Sequence, residues 1–579
     1  MSGRISDALS EIRICHSPRM IRYGVIALLV ACSAPPKTST ITSDDAPTRF
    51  EDLATAIATH LYRLDPDEAV SLGLHDYDGM LPDRSPTALA DLIAQLQKDK
   101  ATLEATGDLT PAQKFERDVL LQRLRGLLFD LVERDVYHHN PMAYTGSINL
   151  DAYIIRDYAP IADRAAAVAK TCNALPTFLK QSRDNLQLPI PRTWIDTALL
   201  QTKGFIEFAD KDIRAELASQ AAAIGPALDT CKAALAEHAA WLEKQQPQGT
   251  NDYALGPTKF FAMLRESQGV EIDAKTLAAI ADEDLRRNLT AIEEAARAID
   301  PKRPVAAVVE ELANVKPDDV LVFATKQAAE MRAFILANEI VSIPSQDVAV
   351  VKESPPFQRW NSAFLNRPGV FEKKQMPSYY YISPPDPKWP PAEQRAYIPP
   401  KDDLLFTTVH EVWPGHFLQG LHIRQNASRV LQSYCTYSNS EGWAHYTEEM
   451  MFDAGAGGKT PQARVGMLKE ALLRNVRFVV TIGLHTKGMT VDEAQKLFAT
   501  KGFVDAGNAR QQAVRGTFDP MYLAYTVGKI MIRKLKTDWM TANPGKSLRD
   551  FHDTLLSYGC APLPLIRRAM LGDAAGAPL

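Results

Sequence analysis

The chain has 579 residues, 46% of them hydrophobic, and a formal net charge of −5. That length exceeds one compact domain of ordinary size and allows a large buried core. The mildly acidic balance excludes a basic nucleic-acid-binding protein, and no apolar run reaches the roughly 20 residues that a bilayer-spanning helix needs.

From Met20 the N-terminus reads MIRYGVIALLVACSAPPKTST. Arg22 precedes a short apolar run ending in Leu29-Val30-Ala31-Cys32. This is the order of a bacterial lipoprotein signal, in which the lipobox cysteine becomes the acylated first residue of the mature chain. An ordinary cleaved signal or a buried apolar strand is the alternative. Residues 1–19 are polar and fit no signal, so Met20 is the expected start. On this reading residues 1–32 are a signal and lipobox segment, Cys32 carries the lipid, and residues 33–47, rich in Ser, Thr, Pro and Asp, are a disordered tether. Ser33 rather than Asp follows the cysteine, which directs the expected anchor to the outer membrane of the bacterial cell envelope, facing the periplasm.

Residues 49–62, 86–105, 111–134, 161–184, 206–243, 274–299 and 319–340 carry apolar residues at three- and four-residue spacing. Ala, Leu, Glu, Gln and Arg dominate them, all good helix formers. DVAVVKE, residues 347–353, is the best strand candidate, and proline clusters punctuate 189–191, 354–356 and 384–400. The expected fold is all-α with minor β: one large helical domain over 48–579, either a single body or two lobes around a metal-containing cleft. Of the cysteines in that region, Cys172, Cys231, Cys435 and Cys560 form no C-x-x-C pair, which argues against thiolate-held zinc. They are expected as buried free thiols, although an oxidising compartment permits disulfides.

The chemistry concentrates between residues 375 and 535. A Pro- and Tyr-rich stretch through Pro400 reads as a rigid loop, after which Asp402 or Asp403 can cap a helix. That helix carries Phe406, Val409, His410 and Trp413, and runs into HEVWPGH at 410–416. The zinc-peptidase pattern H-E-x-x-H sets two histidines four apart on one helical face. Here Pro414 holds the second position and His416 comes two residues late. At about 100° per residue, a straight helix would turn His416 roughly 240° away from His410. Proline at 414 must break the helix. Local unwinding at Pro414-Gly415, eased by the glycine, can return His416 to the face of His410.

In SNSEGWAHYTEEMMFD, residues 438–453, Glu441, Ala444, His445 and Glu448 share one helical face. Glutamate-ligand zinc peptidases take their third ligand from a helix that follows the first, and Glu441 is placed for that. Each motif alone is a weak signal, since His-Glu pairs are common on helices. Both together, in this order, point to a metal site. His138, His139 and His422 read as ordinary histidines.

The pairing of HEVWPGH with EGWAHYTEE closely resembles the bacterial domain-of-unknown-function family 885, many of whose members look like lipoproteins. LDPDEAVSLGLHDYDGMLPDRS (64–85), RNVRFVVTIGLHTKGMTVDEAQKLF (474–498) and RGTFDPMYLAYTVGKIMIRKL (515–535) are similar to its opening and closing segments. By its motif the family is grouped with H-E-x-x-H zinc metallopeptidases, which implies a helical fold and a metal-dependent hydrolase. The chain departs from the family pattern at Thr481 and at Pro520-Met521-Tyr522-Leu523, so substrate contacts at those positions stay open.

The mechanism implied has His410, His416 and Glu441 holding Zn²⁺ and Glu411 as general base. Glu448 would orient a ligand histidine through its second ring nitrogen, with His445 beside it. His445 is also the alternative second histidine ligand; the proline break and the resemblance favour His416. Tyr525, Arg515 and His485 are candidate oxyanion donors, and Arg515 could instead hold a substrate carboxylate bidentately. Three functions remain open at this point: a peptidase on short peptides, a metal-dependent amidase on cell-wall peptides, and a non-catalytic metal-binding lipoprotein. The partners expected are a peptide-like substrate and, through the anchor, a membrane, but no nucleic acid.

Overall fold

The helix-forming composition is realised: 71% of the described residues are helical and 3% are strand. The computed structural model describes residues 49–359 and 362–579. The signal and lipobox segment 1–32 with Cys32, and the tether 33–47, lie outside the described residues.

Apolar spacing locates most helices to within a few residues. The chain opens with α1 (Arg49–Leu64), α2 (Pro86–Ala105), α3 (Pro111–Leu128) and α4 (Ile161–Asn185). The continuous helix expected over 206–243 is instead two. α5 (Arg192–Phe208) ends in a wide turn at Ala209–Ile213, and α6 (Ala221–Gln245) follows. The two pack against each other, a reversal that a continuous Ala-rich pattern conceals. Further long helices are α7 (Ala274–Ile299) and α8 (Val320–Ala337).

Three short strands follow: β1 (Ala349–Glu353), β2 (Ala363–Asn366) and β3 (Ser378–Ile382). β3 is central, parallel to β1 and antiparallel to β2. The stretch expected as a rigid Tyr-rich loop therefore supplies the middle strand. Its aromatic residues suit a pleated surface, and Tyr380 and Tyr381 are buried there. β2 stands at the sheet edge. The Ser383 N–H donates to the Ser362 carbonyl at 2.8 Å. By the antiparallel alternation, Ala363 and Leu365 then turn their backbone groups to the open side.

The site-bearing region consists of α9 (Lys401–Glu411), α10 (His416–Arg424), α11 (Tyr437–Ala454), α12 (Pro461–Thr486), α13 (Ala506–Phe518) and α14 (Ala524–Ala542). α9 has no side-chain cap. Asp402 and Asp403 sit inside its first turn, where they favour the helix dipole, and Asp403 pairs with Lys469 of α12. α11 and α14 cross closely because Gly442 faces Gly528: a Cβ at Gly528 would collide with the Ser438 carbonyl. The main apolar core surrounds these helices, and a second cluster is built on α4, α5 and α6.

The four-free-thiol expectation is corrected. Cys435 and Cys560 form a disulfide, while Cys172 and Cys231 are free and buried. Cysteine spacing could not reveal the pair, because the segments meet only in the fold, where residues 435 and 560 form a bridge. Among the described residues no helix is long and apolar enough to cross a membrane.

Candidate metal centre

α9 ends at Glu411, and α10 begins at His416. Between them the chain folds back through a cis Trp413–Pro414 peptide, and the Gly415 N–H bonds the Val409 carbonyl at 3.0 Å. Glycine is required at 415 for space. Its φ is −71°, and a Cβ there would collide with the His410 carbonyl. The Trp443 indole N–H on α11 donates to the Pro414 carbonyl at 2.9 Å. That bond ties the break to the helix that carries Glu441.

The result brings His410, His416 and Glu441 together. One ligand atom from each lies within 4.8 Å of the others. Glu441 Oε2 is 3.4 Å from Nε2 of His410 and 3.4 Å from Nε2 of His416. The imidazole rings stand perpendicular, with centroids 4.8 Å apart. Yet Glu441 Oε2 is buried and makes no hydrogen bond. Three donors converge on one point without satisfying one another, which is how a carboxylate and two imidazoles are arranged to receive a cation. Burial raises the Glu441 pKa, but the two imidazoles outweigh it and hold the carboxyl well below the usual range, so the ligand is anionic.

Behind this set, Glu448 bonds His410 Nδ1 at 2.6 Å and His445 Nδ1 at 3.1 Å. Arg474 of α12 lies 3.4 Å from Glu448 and is bonded to Glu470. An ionised Glu448 accepts Nδ1–H from each histidine, which leaves His410 Nε2 as the ring nitrogen that would ligate a cation shared with Glu441. His445 therefore sits on the far side of Glu448 from His410. Burial and Lys529 pull its pKa down to about 3.

Glu411, next in the chain to His410, accepts the Leu365 N–H of β2 at 2.9 Å. Tyr525 of α14 lies with its ring nearly parallel to that of His410, centroids 6.3 Å apart. Burial and the Glu441 charge raise the Tyr525 pKa, so its hydroxyl stays a donor. Arg515 of α13 is engaged elsewhere: Nε and one terminal nitrogen hold Asp519 at 2.9 and 2.8 Å, and that terminal nitrogen also meets the Tyr437 hydroxyl at 2.8 Å. His485 is not brought to the cluster as an oxyanion donor. Its Nε2 bonds the Gly516 carbonyl at 2.8 Å and its Nδ1 accepts the Leu255 N–H at 3.3 Å, so both ring nitrogens are spent on packing. His422 similarly serves packing, through the Ser342 carbonyl.

Sequence reasoning missed Arg474, Arg477 and Tyr437. A signal existed in RNVRFVV, where two arginines three apart interrupt an apolar helical run. Both are buried, and both lie over the Tyr525 ring, at 5.5 and 4.9 Å.

A model of a bacterial protein family of unknown function, DUF885, matches residues 66–570. The chain belongs to that family. No curated protein matches it. Among solved structures, a candidate lipoprotein of unknown function from Shewanella oneidensis is 22% identical at TM-score 0.75, covering 91% of this chain and 100% of its own. A candidate lipoprotein from Colwellia psychrerythraea is 17% identical at TM-score 0.75, covering 90% and 98%. An M32 carboxypeptidase from Deinococcus radiodurans R1 gives a much weaker likeness, TM-score 0.40 at 14% identity over 91% and 97%. The first two share the DUF885 member's fold. Thr481 and Pro520, where a departure from the family pattern is expected, touch each other: the Thr481 hydroxyl donates to the Pro520 carbonyl at 2.9 Å.

Proposed function

We propose that the protein is a zinc-dependent, metallopeptidase-like hydrolase acting on short peptides. The observation that carries this reading is the buried Glu441 oxygen, 3.4 Å from two histidine nitrogens and bonded to neither, with Glu411 next to it in the chain. A structural zinc site is closed and usually rich in cysteine. This set has no cysteine, and a carboxylate, Glu411, follows His410 directly in the chain.

His410, His416 and Glu441 would hold the ion, which supplies Lewis acidity and a lowered water pKa. Glu411 takes a proton from the attacking water and returns it to the leaving amine as the C–O bond forms and the C–N bond breaks. The Leu365 N–H aims the Glu411 carboxylate. Tyr525 donates its hydroxyl to the carbonyl oxygen as charge develops there. The remaining outward backbone groups of β2, those of Ala363 and the Leu365 carbonyl, offer an edge against which an extended peptide can pair.

The test is incubation of the metal-loaded protein with a mixed peptide library and, separately, with cell-wall fragments. Chelator-sensitive release of new amino termini from the library is expected. Cleavage confined to the fragments would make the enzyme an amidase, and stoichiometric metal without cleavage of either would make the site non-catalytic.

The lipobox at 29–32, and the lipoprotein names of two structural relatives, support lipid anchoring through Cys32 in the bacterial envelope. Ser33 supports the outer membrane. Cys32→Ser should abolish acyl labelling and release the protein from the membrane fraction; retention of both would refute the anchor.

A further inference from the structure

Three arginines gather beside the metal centre, and two of them are paired. Arg474 has Glu448 and Glu470, and Arg515 has Asp519. Arg477 is different. It is only 7% exposed, yet among the described residues no carboxylate pairs with it. Its Nε donates to Gln512 at 2.9 Å, and its two terminal nitrogens have no acceptor among the described residues. Burial, then the positive charge of Arg515, pulls its pKa down, the direction expected where no anion compensates the cation.

A guanidinium this little exposed, with no carboxylate partner among the described residues, is costly to keep. This one lies 4.9 Å from the Tyr525 ring centroid, and that ring stacks on His410. The Tyr525 ring thus links this charge to the ligand cluster, with the two centroid distances of 4.9 and 6.3 Å keeping them within the reach of about three extended peptide residues at roughly 3.5 Å each. A guanidinium's planar fork matches a carboxylate bidentately.

We propose that Arg477 binds a substrate carboxylate near the scissile bond, so that the enzyme prefers peptides ending in a free C-terminus, or bearing an acidic side chain, within about three residues beyond the cleaved amide. The inference rests on the hydrolase reading above for its placement relative to the cut, but carboxylate binding itself can be read without turnover.

The experiment uses the full-length, metal-loaded protein carrying Glu411→Gln so that ligands survive titration. Three probes are compared by calorimetry: N-acetyl-alanyl-alanine as the free acid, its C-terminal amide, and N-acetyl-alanyl-glutamic acid α-amide. The acid should bind at least about ten-fold more tightly than the amide, as expected for a charge-assisted pair. Arg477→Gln in the same background should remove that preference, and Arg477→Lys should restore part of it. Binding of the glutamyl α-amide as tight as the acid would support the pocket with an acidic side chain as the source of the carboxylate. Equal binding of all three, no binding of any, or a preference surviving in Arg477→Gln overturns the proposal. Hydrolysis by the unsubstituted chain is scored separately. Acid preference without hydrolysis refutes only the hydrolase reading, and hydrolysis indifferent to the carboxylate refutes only the pocket.

Discussion

Glu448 holds Nδ1 of His410 at 2.6 Å, and in doing so decides which nitrogen of that ring faces Glu441. The carboxylate is itself almost fully buried and is kept ionised by Arg474. Its effect on metal binding therefore runs through ring orientation and tautomer rather than through contact with the ion.

Substituting Glu448 by Gln keeps an acceptor near His410 but removes the charge. Outer partners of this kind typically contribute about 10–100-fold in metal affinity, and a loss in that range is expected in competitive zinc titration. Glu448→Ala should also unfold more readily, because Arg474 and His445 would lose their buried partner. Wild-type zinc affinity in Glu448→Gln would show that His410 needs no such orientation.

Glu411→Gln should bind zinc like the unsubstituted protein and lose about 10²–10⁴ in turnover, the usual contribution of a general base. Elemental analysis beside initial rates checks both halves. Full turnover at normal metal content would remove Glu411 from the mechanism.

Gly415→Ala should damage the site although residue 415 is no ligand. The added methyl meets the His410 carbonyl, so the return between α9 and α10 must open and His416 must shift. Zinc affinity is expected to fall at least as far as in Glu448→Gln, with helix content by circular dichroism little changed. Unaltered affinity would mean that the turn yields without moving His416.

Acid should weaken the fold through Asp284. Its burial raises the pKa, but Lys529 and Arg287, with the Asn475 amide, outweigh that and bring it down to about 2 from 3.8. A depressed folded-state value contributes stability above the unfolded pKa and loses it as pH falls toward the folded one. Denaturant midpoints should therefore drop between pH 3.8 and about 2, and Asp284→Asn should flatten that part of the profile. A profile of unchanged slope in the variant would assign the acid loss to other carboxylates.

Removing the Cys435–Cys560 disulfide, which closes a sequence separation of 125, should cost about 2–5 kcal/mol of stability. Thermal unfolding of Cys560→Ser against the unsubstituted protein measures it. A cross-linked peptide in non-reducing mass spectrometry checks the pairing, and free thiol at both positions would rule it out.

Local rules were enough to read most of the long helices and the first strand, though not the break inside 206–243, because apolar spacing and helix propensity are set by neighbours a few residues apart. They also exposed the conflict in HEVWPGH: Pro414 forbids the straight helix that the spacing of His410 and His416 would waste. What the local pattern could not supply was the agent that resolves it. The Trp443 bond that fixes the close return to α11 joins residues 29 positions apart. The same limit hid the disulfide, the central strand at 378–382, and the commitment of both His485 nitrogens to Gly516 and Leu255. Arg477 illustrates the division most directly. Its place in an apolar helical run was visible in the sequence, and helical periodicity could mark it as buried. Whether that buried charge meets a carboxylate depends on which side chains arrive from α13 and α14, and only their packing beside Tyr525 decides it.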